Sequence, residues 1–303
     1  MNRVRPNKST NVRLLNGLVS LAERVAPAWV EEKAFGLWAR PRRTPAKWGQ
    51  ALSGARAFRL EAGGAALAAW EWNVNGPHGS ALLVHGWSGN ASQLSSFVEP
   101  LVQRGYHVVA MDLPAHGQTA GNFATVPLLA HTVAELGQRL RPRIVVAHSL
   151  GATSTGYALT KGLRPERLAL LAPPAQLPPY LAHFAQQAGL SDAMQARLLR
   201  RVEQIIGRPV SELDLRVHAP ALGHVRALLV HDRDDSVVPL ESSRELAALW
   251  PAARLVVTVG LSHDRIRRDP GVVEQVVSFV TGQAAQDALP SAAWSASAAS
   301  PAS

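Results

Sequence analysis

Apolar residues along this chain fall into short unbroken runs, separated by longer stretches in which they recur every three or four positions. The runs lie at 81–84, 107–111, 143–147, 168–171, 227–230 and 255–259. They are too short for helices and lack polar alternation, which predicts parallel strands buried on both faces. Ahead of them, apolar stretches at 58–60 and 66–74 flank Gly63-Gly64 and predict an antiparallel hairpin. Amphipathic stretches at about 92–104, 125–140, 150–163, 240–250 and 270–282 keep helical spacing. Strand–helix alternation of this kind predicts an α/β fold, with a mostly parallel central sheet flanked by helices. Ligands in such sheets bind at the carboxyl ends of the strands, so side chains just past the runs are the first candidates for chemistry.

Two regions break the rhythm. About fifty residues separate the strand ending near Ala172 from the one beginning near Val225, far more than a crossover helix needs. Pro173, Pro174, Pro178 and Pro179 mark the start of this region. Met194, Leu198, Val202 and Ile205 then keep helical spacing, with Arg197, Arg200 and Arg201 between them. The expectation is a small helical cap, about 173–224, inserted over the active edge of the sheet; a plain helical excursion is the alternative. The second region is residues 1–50, read as a basic helical extension, where Leu14, Leu18, Leu21 and Val25 share one helical face. Ala26-Pro27-Ala28 follows, but Arg13, Glu23 and Arg24 crowd the apolar part and argue against a cleaved signal. An amphipathic helix packed on the main domain is the first reading, and a basic segment resting on an anionic membrane surface the second. Residues 57–282 form the main domain. Residues 283–303 are Ala/Ser/Pro/Gln-rich without periodicity, and a disordered tail is predicted there.

Composition removes several function classes. The 303 residues include no cysteine, so disulfides, thiolate catalysis and cysteine-ligated metals are excluded. A net charge of +9 invites a nucleic-acid reading, but residues 1–50 hold ten Lys/Arg against three Glu. The remainder is nearly neutral, and the positive charge is confined mainly to one terminal segment without an interleaved aromatic platform, so no nucleic-acid partner is expected. No run of about 18 apolar residues occurs, so no membrane span is predicted. A cytoplasmic location follows, with peripheral membrane contact as the open alternative.

One pentapeptide concentrates the chemistry. Ala147-His148-Ser149-Leu150-Gly151 follows an apolar run and precedes a helical stretch, and a serine on a tight strand-to-helix turn with small flanks describes a nucleophile elbow. An activated serine needs a base in hydrogen-bond reach and a carboxylate to orient that base. After the run at 227–230 come Asp232, Asp234 and Asp235, all candidates for the acid. After the last run comes His263, the one histidine beyond it, in Gly260-Leu261-Ser262-His263-Asp264. The stretch 168–174 contains no carboxylate.

Taken together, these motifs resemble the α/β-hydrolase superfamily of the esterase and lipase kind, over about residues 57–282. The elbow resembles the family's, in the form with Ala147 in place of the commoner glycine. Asp235-Ser236-Val237-Val238-Pro239 resembles the D-x-x-V-P turn that supplies the acid, which favours Asp235 over Asp232 and Asp234. Ser262-His263 is similar to the pair at the catalytic histidine, and His85-Gly86-Trp87 to the H-G-x turn of the oxyanion hole. Asp112-Leu113-Pro114-Ala115-His116-Gly117 resembles D-x-P-G-H-G, a loop in which Asp112 and His116 fix the structure.

The resemblance implies Ser149 as nucleophile, His263 as base and Asp235 as orienting acid, with backbone N–H groups of Trp87 and Leu150 holding the oxyanion. It implies no cofactor and no metal. A serine at the elbow argues against dehalogenase and epoxide-hydrolase chemistry. The expected reaction is hydrolysis of a small-molecule carboxylic ester or thioester. Acyl transfer and C–C bond hydrolysis remain alternatives on the same triad, and a non-catalytic binding protein is the alternative of another class. Trp87, Tyr180, Leu181 and Phe184 suggest an apolar acyl pocket. His148 is expected to pack under the elbow, and Arg265, Arg267 and Arg268 to form a solvated face. The substrate and the oligomeric state are not legible.

Overall fold

The computed structural model describes residues 8–43 and 52–282; the side chain of Leu14 and the tail predicted for 283–303 lie outside them. Strands β1 (Arg56–Ala62) and β2 (Ala65–Trp72) form the expected antiparallel hairpin, turning at Gly63 and Gly64, both with positive φ. β2 ends at Trp72, two residues before the predicted limit, because Asn73 takes a left-handed φ of 51°. Six strands follow: β3 (Ser80–Val84), β4 (His107–Met111), β5 (Ile144–His148), β6 (Arg167–Leu171), β7 (Arg226–Asp232) and β8 (Ala253–Thr258). The sheet order is β1-β2-β4-β3-β5-β6-β7-β8, antiparallel through β4 and parallel from there on. Connections run in opposite directions from β3, which opens a crevice at the carboxyl ends of β3 and β5.

Unbroken apolar runs are explained by burial of both sheet faces. Leu82, Val84, Val145, Ala147, Leu168 and Leu170 point to one side, where α4 (Val126–Leu140) and α5 (Leu150–Leu159) complete the core. Leu83, Val146, Ala169 and Leu171 point to the other, against α3 (Val98–Gln103) and the helix Pro270–Thr281. Each fully buried valine or leucine contributes about 1.5–3 kcal/mol, so these alternating pairs dominate the stability of the sheet. Local signals set the helix starts. Thr125 Oγ1 accepts from Leu128 N–H and Asp269 Oδ1 from Val272 N–H, each followed by a proline in the first turn. The stretch predicted as one helix over 92–104 divides into a 3-10 segment, Ala91–Phe97, and α3, and the 3-10 segment is itself kinked at Leu94 (φ −107°, ψ 17°).

The chain divides into two compact units. The sheet and its helices form one, and the other combines the N-terminal residues through Arg40 with Leu177–Leu213. In this second unit α1 (Lys8–Val25) and α2 (Pro27–Ala39) join α6 (Pro178–Gln187) and α7 (Asp192–Ile206). Ser191 caps α7 by accepting from Met194 N–H. The predicted positions Met194, Leu198 and Val202 are buried, while Ile205 is exposed. Leu198 and Val202 meet Ala34, Phe35 and Ala39 of α2. Arg201 lies over the Phe35 ring at 4.7 Å, and Glu31 pairs with Arg197 at 2.8 Å. One expectation fails. Spacing predicts that the face carrying Leu18, Leu21 and Val25 is packed, but these side chains are exposed. Helical spacing identifies a face, not what lies against it, and α1 instead half-buries Val19, Ala22 and Glu23. No helix among the described residues is long and apolar enough to cross a membrane.

Candidate active site

Ser149 sits between β5 and α5 with φ 53° and ψ −128°, a conformation that costs a non-glycine residue about 1–3 kcal/mol. Its N–H donates to Leu171 O on β6 at 2.8 Å, which anchors the turn to the sheet. The small flanks have separate reasons. A Cβ at Gly151 would lie 2.1 Å from His85 O, so no side chain fits there. Ala147 is fully buried between Val84 and Leu170, where a methyl is simply part of the core.

His263 and Asp235 reach the same place from the ends of β8 and β7. His263 Nε2 is 2.9 Å from Ser149 Oγ, and His263 Nδ1 is 2.7 Å from Asp235 Oδ2. The second contact makes Nδ1 the protonated nitrogen and leaves Nε2 as an acceptor toward the hydroxyl. Asp235 Oδ1 accepts from the N–H groups of Val237 and Val238, both at 2.8 Å. Burial pushes the Asp235 carboxyl up, but the His263 bond and the two backbone donors outweigh it and hold it below the usual carboxylate range.

The competing carboxylates have other roles. Asp232 is fully buried and accepts from Thr258 Oγ1 (2.6 Å) and from the N–H groups of Leu261 (3.0 Å), Ser262 (2.9 Å) and Asp234 (3.0 Å). It therefore ties the loop carrying His263 to the end of β7. Burial raises its carboxyl, and these four donors more than reverse that. Asp234 accepts from Gly260 N–H at 2.9 Å. His231, which had no assigned role, is buried and donates from Nε2 to Val238 O while Nδ1 accepts from Ser243 Oγ, which steadies the Asp235 turn. His148 packs under the elbow as expected. Its Nε2–H also donates to His263 O at 3.0 Å, on the short helix Ser262–Arg265.

The neighbouring loops close the crevice. Gly89 N–H donates to Gly86 O, forming a turn with Trp87 and Ser88 at its centre and Ser88 at φ 55°. Among the described residues neither the Trp87 nor the Leu150 backbone N–H has a protein acceptor. The Trp87 ring stands edge-on to His116 at 5.3 Å. Asp112 accepts from Ala91 N–H and Gln118 N–H, and His116 Nδ1 donates to Pro114 O, so both fix their loop. His85 Nδ1 donates to Gly86 O, and its Nε2 accepts from Leu113 N–H. Burial pushes His85 and His148 down to about 3 and His116 down to about 4. All three are neutral near pH 7. Arg43, unassigned in sequence, donates to Gly117 O, Thr119 O and Gly121 O and clamps the same loop.

Two expectations are corrected. Arg267 is not on a solvated face: it is buried, pairs with Asp264 and donates to Gln93 O. Its aliphatic stem and guanidinium fill a space that the charge run alone does not reveal. Leu181, expected in an acyl pocket, is buried in the core of the helical unit with Phe35 and Leu198.

A mostly parallel eight-stranded sheet with helices on both faces and a serine at a strand-to-helix turn is the architecture of the alpha/beta hydrolases. The chain belongs to the alpha/beta hydrolase family, whose model matches residues 81–276. No curated protein sequence gives a significant match. Among solved structures the fold is similar to an esterase of Pyrococcus furiosus (22% identity over 80% of this chain and 99% of that one, TM-score 0.61). It is also similar to a putative lipase of Acinetobacter baumannii (19% identity, 79% and 97% covered, TM-score 0.60). A third similar structure is a serine hydrolase from Cycloclasticus (18% identity, 76% and 99% covered, TM-score 0.58).

Proposed function

We propose that the protein is a serine hydrolase that cleaves carboxylic esters or thioesters through an acyl-enzyme. The observation that carries this reading is the continuous chain Ser149 Oγ, His263 Nε2, His263 Nδ1, Asp235 Oδ2, with links of 2.9 and 2.7 Å. Ser149 Oγ attacks the carbonyl carbon as His263 Nε2 takes its proton. Asp235 holds the imidazole in the required tautomer and stabilises the imidazolium. The oxyanion accepts from the backbone N–H groups of Leu150 and Trp87, and losing one such donor typically costs about 10²–10³ in rate. His263 then delivers its proton to the leaving alkoxide or thiolate, and the acyl–oxygen bond to Ser149 remains. Water, deprotonated by His263, attacks the acyl carbon, Ser149 leaves with the returned proton, and a carboxylic acid is released. Similarity of fold to proteins described as an esterase and a putative lipase supports the ester class.

The test is labelling by a fluorophosphonate probe, parent against Ser149→Ala, beside hydrolysis of p-nitrophenyl esters from acetate to palmitate. Expected is labelling of the parent alone, with a loss of about 10⁶-fold in kcat for the variant. Folded parent protein that neither labels nor hydrolyses any ester in the series would overturn the reading.

A further inference from the structure

Twelve large apolar side chains among the described residues are exposed, and five of them crowd into residues 18–37. These are Leu18, Leu21, Val25, Trp29 and Leu37, with exposures of 65%, 58%, 76%, 58% and 74%. Spacings of three and four align the first three along α1, and Trp29, Lys33 and Leu37 follow one another along α2. The helices meet at Ala26, which has non-helical φ −140° and ψ 60°; its N–H donates to Ala22 O and its carbonyl accepts from Val30 N–H. The Lys33 ammonium lies 5.8 Å from the Trp29 ring centre. Exposed apolar side chains gathered in this way mark an interaction surface.

Charge decides what covers it. Two of the three acids in this segment are engaged within the helical unit. Glu23 accepts from Ser191 N–H at 3.0 Å, and Glu31 pairs with Arg197. Arg24, Lys33 and Arg40 stay exposed beside the apolar stripe, with Glu32 as the one exposed acid among described residues 17–43. Ten Lys/Arg against three Glu over residues 1–50 extend the same sign. A second copy would set like charge against like. An anionic bilayer offers both an apolar phase and the opposite charge, and a tryptophan suits the boundary between them.

We propose that α1 and α2 form a docking surface for an anionic lipid bilayer. Leu18, Leu21, Val25 and Trp29 enter the interface, and Arg24, Lys33 and Arg40 meet the headgroups. The proposal does not depend on the chemistry at Ser149. Sedimentation of the full chain with extruded vesicles tests it. Phosphatidylcholine/phosphatidylglycerol vesicles should bind the parent about tenfold more tightly than pure phosphatidylcholine, with the difference lost in high salt. Leu21→Glu with Val25→Glu should weaken binding about tenfold, and Lys33→Gln and Arg40→Gln about fivefold each. Circular dichroism should report unchanged folding, since the altered side chains are exposed. Failure of the parent to bind the anionic vesicles would overturn the proposal. So would equal binding by folded variants, or a parent dimer that Leu21→Glu dissociates.

Discussion

Two loops at the carboxyl edge of the sheet are built around buried aspartates, and their carboxyls move in opposite directions. After β4, Asp112 is lifted to about 6: burial raises it, and the Ala91 and Gln118 N–H bonds reverse only part of that. After β7, Asp232 and Asp235 fall below the ordinary range despite burial, because four donors face one and three the other. Burial sets the starting penalty and the donors decide the sign. The loops differ in use as well. Asp112 accepts from backbone N–H groups alone, whereas Asp235 directs one oxygen at a titratable side chain.

Asp235→Asn tests that difference most severely. An amide in place of the carboxylate favours the wrong imidazole tautomer, so kcat on an ester should drop about 10⁴-fold. Melting close to that of the parent should accompany the loss. A drop of less than tenfold would remove Asp235 from the orienting role.

Acid probes the other loop. His85 and His116 sit against the Asp112 loop, and His148 sits beneath the elbow. All three titrate near 3–4 when folded, against 6.5 for the ordinary side chain. Between those values the unfolded chain binds the extra protons, so stability is complete above about pH 7 and falls as pH drops. At pH 5 each histidine costs about 2 kcal/mol, while the raised Asp112 works in the opposite direction by about 1 kcal/mol. The histidines win, and urea unfolding at pH 5 should show roughly 5 kcal/mol less stability than at pH 7. Equal values at the two pH levels would contradict neutral burial of these rings.

Asp232→Ala should lower stability by about 3 kcal/mol, because four donors lose their acceptor. It should also lower kcat, by freeing the His263 loop. The smallest effect is expected of Asp112→Asn, which keeps one acceptor oxygen: about 1 kcal/mol in urea unfolding and little change in kcat. A large loss of kcat there would give the Asp112 loop a part in the reaction.

Much of this was legible in the chain. Runs buried on both faces announce themselves by lacking polar alternation, and Ser149, Asp235 and His263 each follow such a run. What stayed hidden depends on partners far along the chain. Asp232 and Asp235 lie three residues apart, and their separate roles rest on which of them meets the N–H groups of Leu261 and Ser262. Arg267 looks like surface charge until Gln93 O and Asp264 are set beside it. The stripe through Leu18, Leu21 and Val25 has the period of a packed helix, and periodicity carries no information about what it meets.

The backbone at Ser149 has a consequence for the history of the chain. Glycine would occupy φ 53°, ψ −128° with less strain, so folding by itself favours losing the serine. Within the folded chain, the hydrogen bond between Ser149 Oγ and His263 Nε2 opposes that drift. On the proposed reading the serine is maintained by selection on its hydroxyl, and a copy of this chain released from that selection would trade the hydroxyl for a less strained turn.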